Sequence, residues 1–265
     1  MREQLLDIAV DLVRRAGDLA RGMRAEAVHR VGTKSTDTDV VTAADVAAER
    51  LVEDALRELR PGDTVLGEEG ADAAGAPPGR VRWILDPIDG TVNYLYGVSH
   101  YAVSLAAEVD GEVVAGVVRD PVTGEEWTAT AGGGAWRDGH RLGGSAVTEL
   151  GHALVATGFG YDPARRAHQA AVLADVLPRV RDIRRLGAAA IDLCLAAEGR
   201  VDAFYEKGLN LWDRAAGGLI ATEAGLRVTG LGGRPPGPDM VLAAPPGIYP
   251  QLHKLLSEAD AASGP

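Results

Sequence analysis

Asp86 and Asp89 stand in the run Asp86-Pro87-Ile88-Asp89-Gly90-Thr91. It follows the apolar stretch Val81-Arg82-Trp83-Ile84-Leu85, which reads as a buried strand ending near Leu85. Two carboxylates therefore emerge at a strand end, on either side of a proline-directed turn. Asp-Gly-Thr then leads back into the chain with free backbone N–H groups. Carboxylates suit a hard cation such as Mg²⁺, and exposed N–H groups suit a phosphate. Asp-Pro and Asp-Gly are also ordinary turn chemistry, so the run gains meaning only with company.

Two further acidic motifs supply it. Gly67-Glu68-Glu69-Gly70 follows the short apolar segment Thr64-Val65-Leu66. Adjacent acids at a strand end repel each other unless solvent or a cation intervenes. Leu211-Trp212-Asp213-Arg214-Ala215-Ala216-Gly217-Gly218 places an acid at the start of a small-residue helix, where Asp213 also serves as an ordinary N-cap. Three acid-bearing turns at element boundaries fit a divalent-metal site better than three coincidences.

The elements around these motifs follow from periodicity. A first amphipathic helix runs from Arg2 to about Ala27, with Leu5, Leu6, Ile8, Ala9, Leu12, Val13 and Ala16 as its apolar positions. A Gly/Thr/Ser/Asp loop spans Gly32 to Asp39. Thr42-Ala43-Ala44-Asp45 has the capping-box pattern and opens a helix to about Leu59. Ala71 to Arg80 is a Gly/Pro/Ala linker. Strands are expected at Arg82–Leu85, Tyr101–Val109, Val113–Asp120 and Glu125–Thr130, the last three as an antiparallel meander. Gly132-Gly133-Gly134 reads as a tight turn before a strand at Ala135-Trp136, since no βαβ context supports a nucleotide fingerprint.

The second half alternates. Strands are expected at Leu154–Thr157, Ile183–Leu186, Ala203–Tyr205 and Met240–Ala243. Helices are expected at Ala164–Leu177, Ala188–Glu198, Asp213–Ala224 and Gly247–Ala262. The sum is a mixed α and β protein of layered helices and sheets, with no internal repeat.

Composition narrows the function classes. A net charge of −11 across 265 residues disfavours a general nucleic-acid binder, which needs a basic stripe. It does not forbid a phosphorylated substrate, because a bound cation inverts the local field. The single cysteine, Cys194, lies in a largely apolar helix and reads as core; one cysteine excludes an internal disulfide. No signal peptide or membrane-length apolar run is evident, so a cytoplasmic protein is expected. The six histidines show no ligand spacing. There is no Walker-type phosphate loop and no Cys-x5-Arg loop. The Asp86–Asp89 spacing resembles an Asp-x-Asp phosphatase, but the Glu68 and Asp213 motifs argue for metal-assisted attack by water.

With these motifs in place, the chain resembles the inositol monophosphatase family of Mg²⁺-dependent, lithium-sensitive phosphatases. The matching stretches are GTKSTDTDVVTAAD (32–45), GEEG (67–70), WILDPIDGTVNYLYG (83–97) and WDRAAGG (212–218), with DAFYEKGLNLWD leading into the last. ATGFGYD (156–162) and RRLGAAAIDLCLAAEGRVDAFYE (184–206) look like its actinobacterial inositol-1-monophosphatase-type branch. The resemblance covers nearly the whole chain as one catalytic domain. It implies the αβαβα sandwich shared with fructose-1,6-bisphosphatase.

Carried over residue by residue, the resemblance implies one Mg²⁺ on Glu68, Asp86 and the Ile88 carbonyl, and a second on Asp86, Asp89 and Asp213. Two such metals about 4 Å apart clamp the attacking and leaving oxygens of an in-line displacement. Thr91, supported by Asp45, and Glu68 orient or deprotonate the water. The amides of Gly90 and Thr91 hold the phosphate. Glu206 grips substrate hydroxyls, Asp89 adds a contact, and Gly187 and Ala189 pack beside the ring. Here the chain has Gly187-Ala188-Ala189 where relatives commonly carry a hydroxyl-bearing residue. Lys34 falls in the family's basic loop and is equally an exposed lysine. A homodimer is also implied. The expected substrate is a small phosphorylated polyol, inositol 1-phosphate first. Histidinol phosphate, fructose 1,6-bisphosphate and 3′-phosphoadenosine compounds remain open, as does a non-catalytic binding protein on the same fold.

Overall fold

Two helical stripes and one alternating strand pattern build the first half of the chain. The computed structural model describes residues 1–27, 31–33, 40–70 and 76–264. Helix α1 (Arg2–Ala27) buries Leu5, Ala9, Leu12, Val13 and Ala16 along one face. Strands β1 (Val31–Thr33) and β2 (Val40–Thr42) pair antiparallel. Helix α2 (Ala43–Leu59) starts at the expected capping box: the Ala44 amide donates to the Thr42 hydroxyl, and the Thr42 amide donates to Asp45 at 2.9 Å. Lys34 and part of the Ala71–Arg80 linker lie outside the described residues.

A seven-stranded sheet follows in the order β3-β4-β5-β6-β7-β8-β9. Its strands are β3 (Thr64–Gly67), β4 (Val81–Asp89), β5 (Ala102–Val109), β6 (Glu112–Arg119), β7 (Glu126–Thr130), β8 (Gly134–Arg137) and β9 (His140–Arg141), with the short helix α3 (Thr91–Tyr96) after β4. The meander is present as expected, and Asp110-Gly111 joins β5 to β6 with φ of 51° and 87°, both in the left-handed region that tight hairpins need.

The second half forms a five-stranded sheet in the order β11-β10-β12-β14-β13. Its elements are β10 (Leu154–Thr157), α4 (Pro163–Val176), β11 (Asp182–Arg184), α5 (Ala189–Glu198), β12 (Ala203–Glu206), α6 (Leu211–Glu223), β13 (Arg227–Thr229), β14 (Val241–Ala244) and α7 (Tyr249–Glu258). Strand β13 was not expected, and α7 is shorter at both ends than Gly247–Ala262.

Side-chain alternation stacks these elements into layers. Trp83, Leu85, Val103 and Leu105 face α1 and α2 across one core. Ile84, Ala106, Val118 and Trp127 point the other way, into a core shared with Ile191 and Leu193 of α5, Ile220 of α6, and Phe204 and Ala243 of the second sheet. Val155, Tyr205 and Leu242 then meet Val172 and Val176 of α4 and Leu252 and Leu255 of α7. The order is helix, sheet, helix, sheet, helix. Cys194 is buried in the middle helical layer, as expected. No described helix is long and apolar enough to cross a membrane.

Candidate active site

Strand β4 carries the first acids, and it does not end at Leu85. It continues to pair with β5 through Asp86 opposite Ser104 and Asp89 opposite Ala102, with a bulge between the two acids. The bulge accommodates Pro87, which has no N–H for a ladder, and the Ile88 amide donates to Asp86 at 3.1 Å. The two carboxylates therefore sit on a buried, bulged strand, not on a loose turn.

Asp89 is held from across the middle layer. It accepts from the amides of Ala189 at 3.2 Å and Ala190 at 2.6 Å. These are first-turn amides of α5, whose N-cap residue Ala188 offers no side-chain cap. Asp89 thus caps α5 from the neighbouring sheet. Asp213 enters from α6, but Asn210 is the N-cap of that helix. Asp213 is its third residue and accepts from the Asn210 amide at 2.6 Å. Glu68 follows β3 directly.

These residues line one cavity of about 490 Å³. Glu68, Asp86, Ile88, Asp89, Gly90, Thr91 and Asp213 border it, and so do Gly187, Ala189 and Glu206. Asp45 stands behind Thr91, whose hydroxyl lies 3.1 Å from an Asp45 oxygen and 3.0 Å from the Ile88 carbonyl. The structure thus gathers at or directly behind one cavity the expected metal, catalytic and substrate residues, with Lys34 outside the described residues. It adds Phe159, Tyr161, Arg165 and Arg185, which the sequence did not single out.

The acids raise one another. Burial pushes Asp86 well above the usual carboxylate range, with Glu68, Asp89 and Asp213 adding to it. Burial and then Asp213 do the same to Asp89, against the Ala190 amide. Burial and then Glu68 push Asp213 up to about 7, against hydrogen bonds to the Asn210 amide and Asp86. Glu206 is raised by burial, then by Asp192 and Asp213, and Arg185 opposes the rise.

An all-oxygen set of mutually repelling acids fits a hard divalent cation, which relieves the repulsion. Among the described residues, no three such side chains are drawn together tightly enough to hold an ion as they stand. The donor chemistry fits such a cation; the acids border the cavity without closing on a centre.

The layer order is that of an αβαβα sandwich, with an acidic cavity between its layers. A family model for the inositol monophosphatase family matches residues 1–262. The Inositol-1-monophosphatase SuhB of Mycobacterium tuberculosis is 48% identical over 94% of this chain and 92% of its own length. Its solved structure superposes with a TM-score of 0.84 over 99% of each chain. The Thermotoga maritima IMPase superposes at 0.88, with 31% identity over 98% of this chain and 100% of its own. The Escherichia coli protein Nus factor SuhB is 39% identical over 83% of each chain.

The chain belongs to the inositol monophosphatase family and is a phosphatase of that family. Metal dependence is general in the family.

Proposed function

We propose that this chain is a Mg²⁺-dependent phosphomonoesterase that hydrolyses inositol 1-phosphate to inositol and phosphate. One observation carries the proposal: Glu68, Asp86, Asp89, Asp213 and Thr91, with Asp45 behind it, share a cavity with Glu206, the expected hydroxyl acceptor. Mg²⁺ on Glu68, Asp86, the Ile88 carbonyl, Asp89 and Asp213 would supply Lewis-acid charge and a more acidic water.

The chain's own groups do the rest. Thr91 has one hydroxyl proton and two acceptors for it, Asp45 and the Ile88 carbonyl. Either use of that proton leaves a lone pair of the Thr91 oxygen for an attacking water. Glu68 lies on the same cavity and takes the water's proton. The amides of Gly90 and Thr91 open α3, where first-turn N–H groups have no partner within the helix, and receive the phosphate oxygens. Asp89, fixed by α5, stays in place as it accepts a substrate hydroxyl. No covalent intermediate is required.

Phosphate release from a substrate panel, with and without Mg²⁺, tests this. Inositol 1-phosphate is expected to turn over fastest, only with Mg²⁺, and millimolar Li⁺ to inhibit. A strong preference for histidinol phosphate or a 3′-phosphoadenosine compound would overturn the substrate. The name of the E. coli relative, Nus factor SuhB, supports a second reading: a binding role on the same fold, which a wholly inactive panel would favour. The proposed enzyme acts in the cytoplasm as a single catalytic domain and pairs as a homodimer. Light scattering at micromolar concentration should give twice the 27.6 kDa chain mass, and a monomer's mass would contradict the pairing.

A further inference from the structure

Glu206 ends β12 on the wall of the cavity. A side chain at Gly158 would overlap the Glu206 carboxylate, so the bare backbone of Gly158 is what gives that group its place. The next residue, Phe159, lies under the Arg185 guanidinium, whose central carbon is 5.9 Å from the ring centroid. Arg185 rests on a second glycine. A Cβ at Gly187 would come within 2.6 Å of an Arg185 nitrogen. One dipeptide, Gly158-Phe159, therefore seats an acid with one residue and a guanidinium with the other.

Both groups line the cavity, and Arg185 opposes the upward pKa shift of Glu206. Yet they form no ion pair, and no described residue hydrogen-bonds to either side chain. Both Arg184 and Arg185 are exposed, but Arg184 is paired with Asp182 at 2.6 Å. Two adjacent arginines thus have different fates. One is spent on a local surface pair, and the other is laid on an aromatic ring at the mouth of the site.

We propose that Arg185 is a specificity-determining residue that, with Glu206, reads two adjacent hydroxyls of a cyclic polyol phosphate. One hydroxyl donates to the Glu206 carboxylate, and its neighbour accepts from the Arg185 fork. A lone carboxylate accepts from any hydroxyl. A donor and an acceptor held on neighbouring glycine-cleared walls demand two hydroxyls at a set separation. The guanidinium suits this because its donors are planar and fixed, and no described residue uses them. This inference rests on the proposed polyol phosphatase activity and names the group that selects its substrate.

The test is a double-mutant cycle of Arg185→Gln and Glu206→Gln, with Arg185→Lys alongside. The quantity followed is kcat/KM for inositol 1-phosphate divided by kcat/KM for 4-nitrophenyl phosphate, with Mg²⁺ present. Each single variant is expected to lower that ratio about ten- to a hundredfold, mainly through KM, as loss of a charge-assisted hydrogen bond does. The double variant falls little further, because the two contacts bind one diol. Arg185→Lys recovers only part, and thermal melts of all variants stay near wild type. An unchanged ratio in Arg185→Gln overturns the assignment, as do equal losses on both substrates or fully additive effects. A wild-type enzyme without preference for inositol 1-phosphate sinks the polyol activity and this inference together. A preference kept in Arg185→Gln sinks this inference alone.

Discussion

Asp86→Asn is expected to lower Mg²⁺-stimulated phosphate release by about a thousandfold while the chain keeps its fold. Asp86 is 1% exposed on β4. It accepts from the Ile88 amide, which needs only a carbonyl-type oxygen, and it hydrogen-bonds to Asp213; an asparagine side chain can make both contacts. The local geometry therefore survives. What disappears is a negative charge that the proposed mechanism places on both metal positions. The stability effect has the opposite sign. An acid whose folded pKa is raised costs stability above its unfolded pKa, because folding disfavours the charged form there. Burial, Glu68, Asp89 and Asp213 all raise Asp86. Without Mg²⁺, the asparagine variant should therefore melt at or above the wild-type temperature. With Mg²⁺, the wild-type melting temperature should rise and that of the variant should rise less, by mass action on the folded state. Scanning calorimetry with and without the ion, beside a phosphate assay, measures both. Near-normal turnover, or an equal Mg²⁺-induced rise in both proteins, removes Asp86 from the ligand set.

Much of the site was legible in the sequence because its signals are local. The Thr42–Asp45 capping box, the Asp86–Thr91 run and the Glu68 turn are each read within a few residues. What escaped was set by tertiary partners. The strand seemed to stop at Leu85 because Asp-Pro is turn chemistry, whereas pairing with Ser104 and Ala102 carries β4 on to Asp89. Helix α3 has only Thr91-Val92-Asn93-Tyr94-Leu95-Tyr96, weak helix formers with few turns to cooperate. It is held by distant anchors instead: the Tyr94 hydroxyl donates to the Ala20 carbonyl at 2.7 Å, and Arg24 donates to the Tyr94 carbonyl. Asp213 read as an N-cap because capping favours Asp, but Asn210 precedes it with the same preference and the third-residue spacing of a capping box. Arg185 carried no local signal. An arginine beside Arg184 at a strand end reads as an ordinary surface residue; its place over Phe159 on the cavity rim depends on a residue distant in sequence.

Gly90→Ala is expected to cost about a hundredfold in kcat and about 1–3 kcal/mol of stability. Gly90 is the N-cap of α3 and has φ 90° and ψ 40°, the left-handed region that penalises a Cβ. Space compounds the conformational cost. An added Cβ would stand 3.0 Å from the Gly187 carbonyl oxygen, 3.2 Å from the Ala188 Cβ and 3.2 Å from the His100 carbonyl oxygen. Those segments cannot easily yield one at a time. Asn93 ties them together, donating to the His100 carbonyl at 2.7 Å and to the Leu186 carbonyl at 2.8 Å. Relief must push the β4–α3 turn away from the start of α5. That is the junction across which Asp89 accepts from Ala189 and Ala190, and Thr91 is the next residue along. A displacement on the order of 1 Å there moves together the acid, the hydroxyl and the amides that the proposed mechanism assigns to metal, water and phosphate, enough for about a hundredfold loss. Gly111→Ala is the matched control. Gly111 also has a positive φ, +87°, but nothing lies within 4 Å of its Cβ position. It should therefore lose stability to backbone strain alone and keep its kcat. Kinetics and thermal melts of the two variants separate strain from displacement. A Gly90→Ala enzyme with wild-type kcat would show that the close approach of Gly90 to Gly187 does not set the geometry of the catalytic groups.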